Sequence, residues 1–132
     1  MSLNYIMIGT NDFARSRAFY DAVFPLIGGK VTADYAPHAV CYEFRNGTRA
    51  WLALPNNKEA AVPGNGNMPG FLCDSEAVVQ SAHAAALANG GTSEGDPGPR
   101  PDYGPDFYGA YARDVLGVDA AKLTTIKARL LD

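Results

Sequence analysis

The sequence has no run of basic residues, and its 14 acidic residues outnumber its 11 lysines and arginines, for a formal net charge of −3. This balance argues against the broad positive surface that binds nucleic acids. No apolar run approaches the roughly 20 residues of a membrane-spanning helix, and the N-terminus lacks the basic and long apolar segments of a signal peptide. We therefore expect neither a nucleic acid nor a membrane among the partners of this protein.

Histidine and cysteine, which bind metals and act as bases or nucleophiles, are also scarce. The histidines are His38 and His83, and the cysteines are Cys41 and Cys73. No HxH, HxxxH, HExxH or CxxC spacing brings any of them together along the chain. We predict that each histidine is a surface or boundary residue and that each cysteine is a buried free thiol. Free thiols are typical of a reducing compartment, so we expect a cytoplasmic protein. With none of these motifs present, we identify no residue as catalytic.

The chain is instead rich in apolar residues, which make up 47% of its 132 residues and favour a single folded domain with its own core. Its first part has the pattern of a strand followed by a capped helix. Residues 3–8 are an apolar run rich in β-formers, and Asn11 or Asp12 can cap a helix whose apolar residues recur on one face. Gly28 and Gly29 end that helix.

The same order of elements returns in the second half of the chain. Residues 68–73 have the character of a strand, and Asp74 or Ser75 can cap the helix that follows. Gly90 ends this helix, 62 residues after Gly28. The helix caps are 63 residues apart, and the helix lengths also match, so the pattern indicates a duplicated module.

The remaining elements are predicted to be strands, and Asn46 with Gly47 is typical of a hairpin turn between two of them. Residues 92–95 can start a strand. Residues 95–106, which contain four prolines in GDPGPRPDYGPD, are predicted to form an irregular surface loop. Residues 127–132 are predicted to be a tail or a short helix, and the run Ala120-Ala121-Lys122-Leu123 leaves a helix as an alternative to the last strand. The other predicted strands are residues 30–35, 39–44, 49–54, 107–114 and 122–126.

Three stretches carry a resemblance to a known family: IGTNDFARSRAFYDAVFPLIG near the start, HAAALANGGT in the middle and GPRPDYGPDFYGAYARDVLG near the end. Their order and spacing resemble the vicinal oxygen chelate superfamily, which includes glyoxalase, bleomycin-resistance and extradiol-dioxygenase-like proteins. The resemblance implies an α+β fold of two tandem βαβββ modules that form an open, curved, eight-stranded cleft. We expect one glyoxalase-like domain over residues 1–132, with modules at 1–55 and 66–126 and a linker at 56–65.

The resemblance also implies a divalent metal, held by a histidine in the first strand of each module and a glutamate in the last strand. The two histidine positions correspond to Tyr5 and Met68 in this sequence. The glutamate position corresponds to Ala121 without a gap, or to Thr124 with a three-residue insertion. Because these side chains are poor replacements, we expect neither a metal nor another cofactor. Asp119 is the acid closest to these positions in sequence.

A cleft without a metal is expected to be lined by other side chains. Tyr108 and Tyr111 fall on opposite faces of a regular strand, so one of them is expected to line the cleft. Aromatic and methionine side chains with a single arginine suit a small apolar or aromatic molecule that carries an anionic group. The predicted ligand-binding residues are Tyr5, Met7, Trp51, Met68, Arg100, Tyr103, Tyr108 and Tyr111.

Two classes of function remain open for such a protein. The first is a binding protein that sequesters a small molecule without a metal, as the family's antibiotic-resistance members do. The second is an enzyme of the glyoxalase type, either a metal-dependent lyase or dioxygenase with displaced ligands or a metal-free isomerase or lyase with a tyrosine as acid. A structural dimer without a ligand is a third interpretation. We expect a homodimer, because family members commonly dimerise and an open cleft leaves strand edges to cover.

Overall fold

The computed structural model of the chain describes residues 3–64 and 66–115, and the backbone of residues 123–128. The fold is α+β. Its helices are α1 (Phe13–Val23) and α2 (Glu76–Ala88), with short 3₁₀ turns at Phe24–Ile27 and Pro101–Tyr103. The strands are β1 (Tyr5–Gly9), β2 (Lys30–Tyr35), β3 (Ala39–Glu43), β4 (Arg49–Ala53), β5 (Gly70–Cys73), β6 (Thr92–Pro99), β7 (Tyr108–Arg113) and β8 (Leu123–Ala128). Neither helix is long and apolar enough to span a bilayer, a finding that covers the described residues only.

The strands form two four-stranded sheets with the same internal order, β1-β4-β3-β2 and β5-β8-β7-β6. The first strand of each module, β1 or β5, lies at one edge of its sheet and runs parallel to its neighbour, and the remaining pairs are antiparallel. Each sheet with its helix therefore follows the predicted βαβββ order, as a duplicated module would. No strand of one sheet is paired with a strand of the other among the described residues. A cleft of eight strands therefore requires two such sheets to come together.

Local signals explain where the helices begin and end. At α1, Oδ1 of Asp12 accepts a hydrogen bond from the backbone N–H of Arg15 at 3.2 Å. At α2, Oγ of Ser75 accepts one from the N–H of Val78 at 3.2 Å. The first helix tightens into the 3₁₀ turn and ends at Gly28, whose φ of 90° is favourable for glycine alone.

A single hydrophobic core joins the two modules. Side chains from both helices and both sheets contribute to it, including Phe19 of α1, Leu52 of β4 and Val79 of α2. Phe24, in the first 3₁₀ turn, packs against Phe71 of β5 with ring centroids 5.1 Å apart. The modules are thus held together through their helix-bearing sides, and the opposite face of each sheet lies outside this core.

The structure corrects the prediction for the proline-rich segment. Residues 95–106 were expected to be a loop, but β6 continues through Pro99 and pairs with β7 across two register shifts. Proline is tolerated here because β6 is an edge strand, where an N–H group on the outer side needs no partner. At the start of β5, by contrast, proline limits the strand. The strand was predicted to begin at Met68, but it begins at Gly70, the residue after Pro69.

The last strand also differs from its prediction. It was expected at residues 122–126, with a tail or short helix after it, but β8 spans Leu123–Ala128. The tail or helix predicted beyond residue 128 lies outside the described residues. The division into modules at 1–55 and 66–126 stays a prediction, although the described residues between β4 and β5 contain neither helix nor strand.

Candidate functional site

Each sheet has a face away from the helices, which we call its open face. On the open face of the first sheet, alternation along β1 places Tyr5 and Met7, with Met7 opposite Trp51 of β4 in the strand register. The side chains of Tyr5 and Met7 are 52% and 59% exposed. The side chain of Ile8 is on the other face of β1, where it is buried against the core. Three of the predicted ligand-binding residues are therefore brought together on one surface.

Tyr35 is an additional aromatic residue on this face that sequence reasoning missed. It is the last residue of β2, it is 62% exposed, and its ring stacks on that of Trp51 with centroids 6.2 Å apart and planes 6° apart. The residues lie on strands separated by β3, where Ala39 is opposite Tyr35 and Cys41 is opposite Trp51. The sequence places Tyr35 in a run of β-forming residues, but such a run does not show that the ring stacks on Trp51.

The open face of the second sheet carries Tyr111 and Arg100. The guanidinium of Arg100 lies over the ring of Tyr111, 5.4 Å from its centroid. Its Nη1 donates to the carbonyl of Gly98 at 2.9 Å and its Nη2 to the carbonyl of Asp96 at 2.7 Å. A Cβ at Gly95 would lie 3.2 Å from Nη2, so glycine makes room for this arrangement. The arginine is thus held in one orientation by the backbone.

Tyr108 and Tyr103 occupy different surroundings. Tyr108 faces α2, where its hydroxyl accepts a hydrogen bond from Nε2 of Gln80 at 2.9 Å. The expected alternation along β7 therefore leaves Tyr111 on the open face. Tyr103 is 67% exposed and packs edge-on against Phe107, with ring centroids 5.4 Å apart. The backbone N–H of Tyr103 donates to the carbonyl of Arg100 at 3.0 Å, so Tyr103 lies next to Arg100 in the fold, whereas Tyr108 lies on the helix side of its sheet.

The positions that correspond to the metal ligands of the family are only partly described. Tyr5 and Met68 are both exposed, on β1 and just before β5. Thr124 pairs with the buried Ala112 in the register of β8, whereas Thr125 pairs with Tyr111. Ala121 and Asp119 lie outside the described residues. Within the described part of the chain, no three His, Cys, Asp or Glu side chains come close enough to hold a metal ion.

The cysteines and histidines are placed as follows. Both cysteines are buried and free, as predicted. Burial, with a smaller effect from Asp74, raises the pKa of the Cys73 thiol to about 12, so it is not a thiolate at neutral pH. His38 is exposed, but His83 is 4% exposed, so the prediction of a surface or boundary residue was wrong for His83. His83 is buried because it lies on the face of α2 that also carries the buried Val79 and Ala86.

His83, Ser93 and Asp96 lie close together, and these are the residue types of a catalytic triad. Nε2 of His83 lies 3.1 Å from Oγ of Ser93, and that hydroxyl donates to Oδ1 of Asp96 at 2.8 Å. In a triad the carboxylate orients the histidine, and the histidine accepts the serine proton. Here the carboxylate accepts from the serine itself, so the arrangement does not activate Ser93 as a nucleophile.

A groove lies between the modules, along β1 and β5. Its volume is about 470 Å³, and the ion pair of Arg45 and Asp74 stands at its rim. None of the eight predicted ligand-binding residues lines it. The groove is bordered by Leu3, Ile6, Ile27, Phe44, Arg45, Asn46, Thr48, Pro69, Gly70, Phe71, Leu72 and Asp74. Because the two rim charges are paired with each other, the groove offers no single charged group to orient a ligand.

The βαβββ order in both modules and the shared topology of the two sheets define a duplicated α+β domain of the glyoxalase type. The family model described as Glyoxalase/Bleomycin resistance protein/Dioxygenase superfamily matches residues 2–121. The chain belongs to this superfamily, as the sequence resemblance indicated.

Solved structures support the same assignment. The chain is 30% identical to a glyoxalase/bleomycin resistance protein from Albidiferax ferrireducens, with a TM-score of 0.82 over 98% of this chain and 99% of that one. A glyoxalase-related enzyme from Fulvimarina pelagi is 18% identical, with a TM-score of 0.76 over 98% and 88%. A lactoylglutathione lyase from Agrobacterium tumefaciens is 16% identical, with a TM-score of 0.65 over 96% and 92%, which shows the fold alone. Among curated proteins, no match reaches significance.

Proposed function

We propose that this protein is a glyoxalase/bleomycin-resistance-like binding protein that holds a small apolar or aromatic anionic molecule against its open faces. The observation that supports this most is that the exposed side chains of Tyr5 and Met7 share one sheet face with the half-buried Trp51. Single exposed apolar side chains are common, but several large ones side by side on one surface are typical of a binding site. Aromatic and thioether groups in turn suit an apolar or aromatic molecule.

The anionic group of the ligand is assigned to Arg100 on the second sheet. Its guanidinium is held by backbone carbonyls and by Tyr111, and none of the ion pairs among the described residues includes it. An oriented guanidinium without a carboxylate partner favours a carboxylate or phosphate from outside.

We further propose a homodimer, in which the open face of the first sheet in one copy meets that of the second sheet in the other. Within one chain, the contacts between modules lie on the helix side, such as the Oγ of Ser16 donating to the carbonyl of Val115 at 2.8 Å. A second copy is therefore needed to join Trp51 and Arg100 in one open, curved cleft of eight strands. The buried free thiols support the cytoplasm as its location.

The metal site of the family is proposed to be degenerate in this chain. The described side chains at two of the three usual positions are a phenol, Tyr5, and a thioether, Met68. A neutral phenol and a soft thioether do not fit the divalent ions that two imidazoles and a carboxylate bind. We therefore derive no reaction step that uses a metal.

A metal-free lyase or isomerase is the second candidate. It is supported by the exposed phenol of Tyr5 at a position where relatives hold a histidine, because a phenol can act as a general acid. The carboxylate of Glu43 lies on the same face, but it is paired with Arg49 at 3.1 Å instead of being available as a base, and so binding is the function that we favour. Product formation from a bound ligand would instead support the enzyme.

The test compares 2-naphthoate with 2-naphthamide, which share a ring system but differ in charge, by isothermal titration calorimetry. We expect the carboxylate to bind more tightly, and Arg100→Gln to weaken it about tenfold or more while the amide is unaffected, since a charge-assisted hydrogen bond is lost. Val62→Ala, at an exposed apolar residue between β4 and β5, is the matched control. No binding of either probe, or a monomer by light scattering at micromolar concentration, would contradict the proposal.

A further inference from the structure

The rings of Tyr35 and Trp51 differ from the other aromatic pairs of the described residues. Their planes are 6° apart, whereas the other pairs cross at angles from 36° to 81°. Most of those pairs lie in the core, where tilted and edge-on contacts fill space. Tyr35 and Trp51 instead lie on the open face of the first sheet, so both can present flat surfaces to a ligand.

Small side chains between the two rings make room for them to face each other. β3 separates their strands, and strands two places apart in a sheet are about 9.5 Å apart. The β3 residues on this face between the rings are Ala39 and Cys41, whose side chains reach less far from the sheet. The two rings therefore lean toward each other across β3, to a centroid distance of 6.2 Å.

The backbone around Tyr35 is fixed although its side chain is exposed. The preceding residue, Asp34, binds Arg17 through both carboxylate oxygens, at 2.9 and 3.0 Å, and accepts a hydrogen bond from the N–H of Ala36 at 3.1 Å. The carbonyl of Tyr35 accepts from the N–H of His38 at 2.9 Å. A rigid backbone thus holds an aromatic ring that is 62% exposed, an arrangement that burial in this chain does not explain.

We propose that Tyr35 and Trp51 bind a planar aromatic ring by stacking and so select flat ligands over puckered ones of the same size and charge. This inference rests on the proposed binding function. A flat ring inserted between two others contacts each of them at about 3.5 Å. The planes of Tyr35 and Trp51 are already nearly parallel, as such an arrangement requires, and the exposed Tyr35 side chain can rotate outward to admit a ring.

The charges on this face indicate which part of the ligand lies here. Glu43 and Arg49 form an ion pair at 3.1 Å and are opposite each other in the strand register. Because these charges neutralise each other, the face favours the uncharged part of a ligand. The anionic group is then left to Arg100, in line with the proposed cleft.

The probes are 2-naphthoate and decahydro-2-naphthoate, which share the carboxylate and differ in having flat or puckered rings. We expect calorimetry to show at least about tenfold tighter binding of the flat probe, as stacking on two rings predicts. Tyr35→Leu should remove most of this preference by weakening the binding of the flat probe more than that of the puckered probe. Tyr35→Phe, which keeps the ring, should bind both probes within about twofold of the wild type.

The position at which the probe binds and the folding of the variants are checked in the same samples. Trp51 is the only tryptophan, so its indole N–H gives a single NMR signal that must shift when the flat probe binds. Circular dichroism of Tyr35→Leu against the control Val62→Ala shows whether the fold is kept.

Equal affinities for both probes, with Arg100→Gln still weakening them, would overturn the stacking proposal and leave the binding function intact. An unshifted indole signal, or a flat-ring preference that survives Tyr35→Leu, would overturn it as well. Failure of both probes to bind would overturn the binding function and the stacking proposal together.

Discussion

The hydroxyl group of Tyr20 donates a hydrogen bond to Oδ2 of Asp114 and so joins α1 of the first module to the end of β7 in the second. Both side chains are almost fully buried, at 1% and 2% exposure. A carboxylate in such a place is tolerated only when polar groups surround it. The relative placement of the modules therefore depends in part on this hydrogen bond to one buried carboxyl group.

We predict that Tyr20→Phe lowers the free energy of unfolding by about 1–3 kcal/mol, because it removes a donor from a buried carboxylate and leaves the ring in place. Urea denaturation followed by circular dichroism measures the change. Tyr103→Phe makes the same substitution at an exposed ring and is expected to change the stability by less than about 0.5 kcal/mol. Equal stabilities of the two variants would show that Asp114 does not depend on Tyr20.

Much of the fold could be predicted because its signals are local. The cap alternatives at both helices included Asp12 and Ser75, which make the observed capping hydrogen bonds. The strand at residues 30–35 has the predicted bounds. Caps, turns and β-rich runs act over a few residues, so the sequence displays them directly.

The missed elements depend on position within the sheet. Pro97 and Pro99 read as loop residues, yet they lie in β6, because an edge strand needs hydrogen bonds on one side only. The stack of Tyr35 on Trp51 was equally out of reach, since it depends on the register of three strands. Of the candidate site, the sequence indicated Trp51, Arg100 and Tyr111 as residues, but not which of them share a sheet.

The cap of α2 provides a second prediction. Oγ of Ser75 accepts a hydrogen bond from the N–H of Val78, so Ser75→Ala leaves one backbone donor at the helix start without its side-chain partner. We expect a loss of about 1 kcal/mol in the free energy of unfolding. Ser75→Asp keeps an acceptor at the same position and is expected to match the wild type in urea denaturation. A loss of the same size in both variants would assign the effect to something other than capping.

A third prediction concerns acid sensitivity. Hydrogen bonds from Arg17, with a smaller effect from the N–H of Ala36, hold the pKa of Asp34 below its usual value. A carboxylate whose pKa is lower in the folded than in the unfolded state stabilises the fold above about pH 4, the ordinary value for aspartate. This contribution is lost as the pH falls through the lowered pKa.

The wild type is therefore expected to be more stable than Asp34→Asn at pH 7, and the difference should shrink as the pH falls below about 4. Urea denaturation at a series of pH values measures it. Asp102→Asn, at an exposed aspartate outside the ion pairs of the described residues, should show no such trend. A constant difference for Asp34→Asn across the pH range would contradict the assignment.

The final prediction is that the protein purified without a chelator contains well under one equivalent of Zn, Ni, Mn or Fe by elemental analysis. A catalytic metal needs about three protein ligands, and the described positions offer only the phenol of Tyr5 and the thioether of Met68. Dialysis against EDTA should accordingly leave the melting temperature and the affinity for 2-naphthoate unchanged. A stoichiometric metal that EDTA removes would return the protein to the metal-dependent side of its family.

A double variant sharpens this test. Tyr5→His with Met68→His restores two imidazoles, which bind Ni²⁺ and Zn²⁺ well, so we expect a gain in Ni²⁺ affinity over the wild type by calorimetry. Each single variant supplies one imidazole and is expected to gain much less. If the double variant binds no better than either single one, the two positions do not meet in the assembled protein, and the proposed pairing of open faces would have to be abandoned.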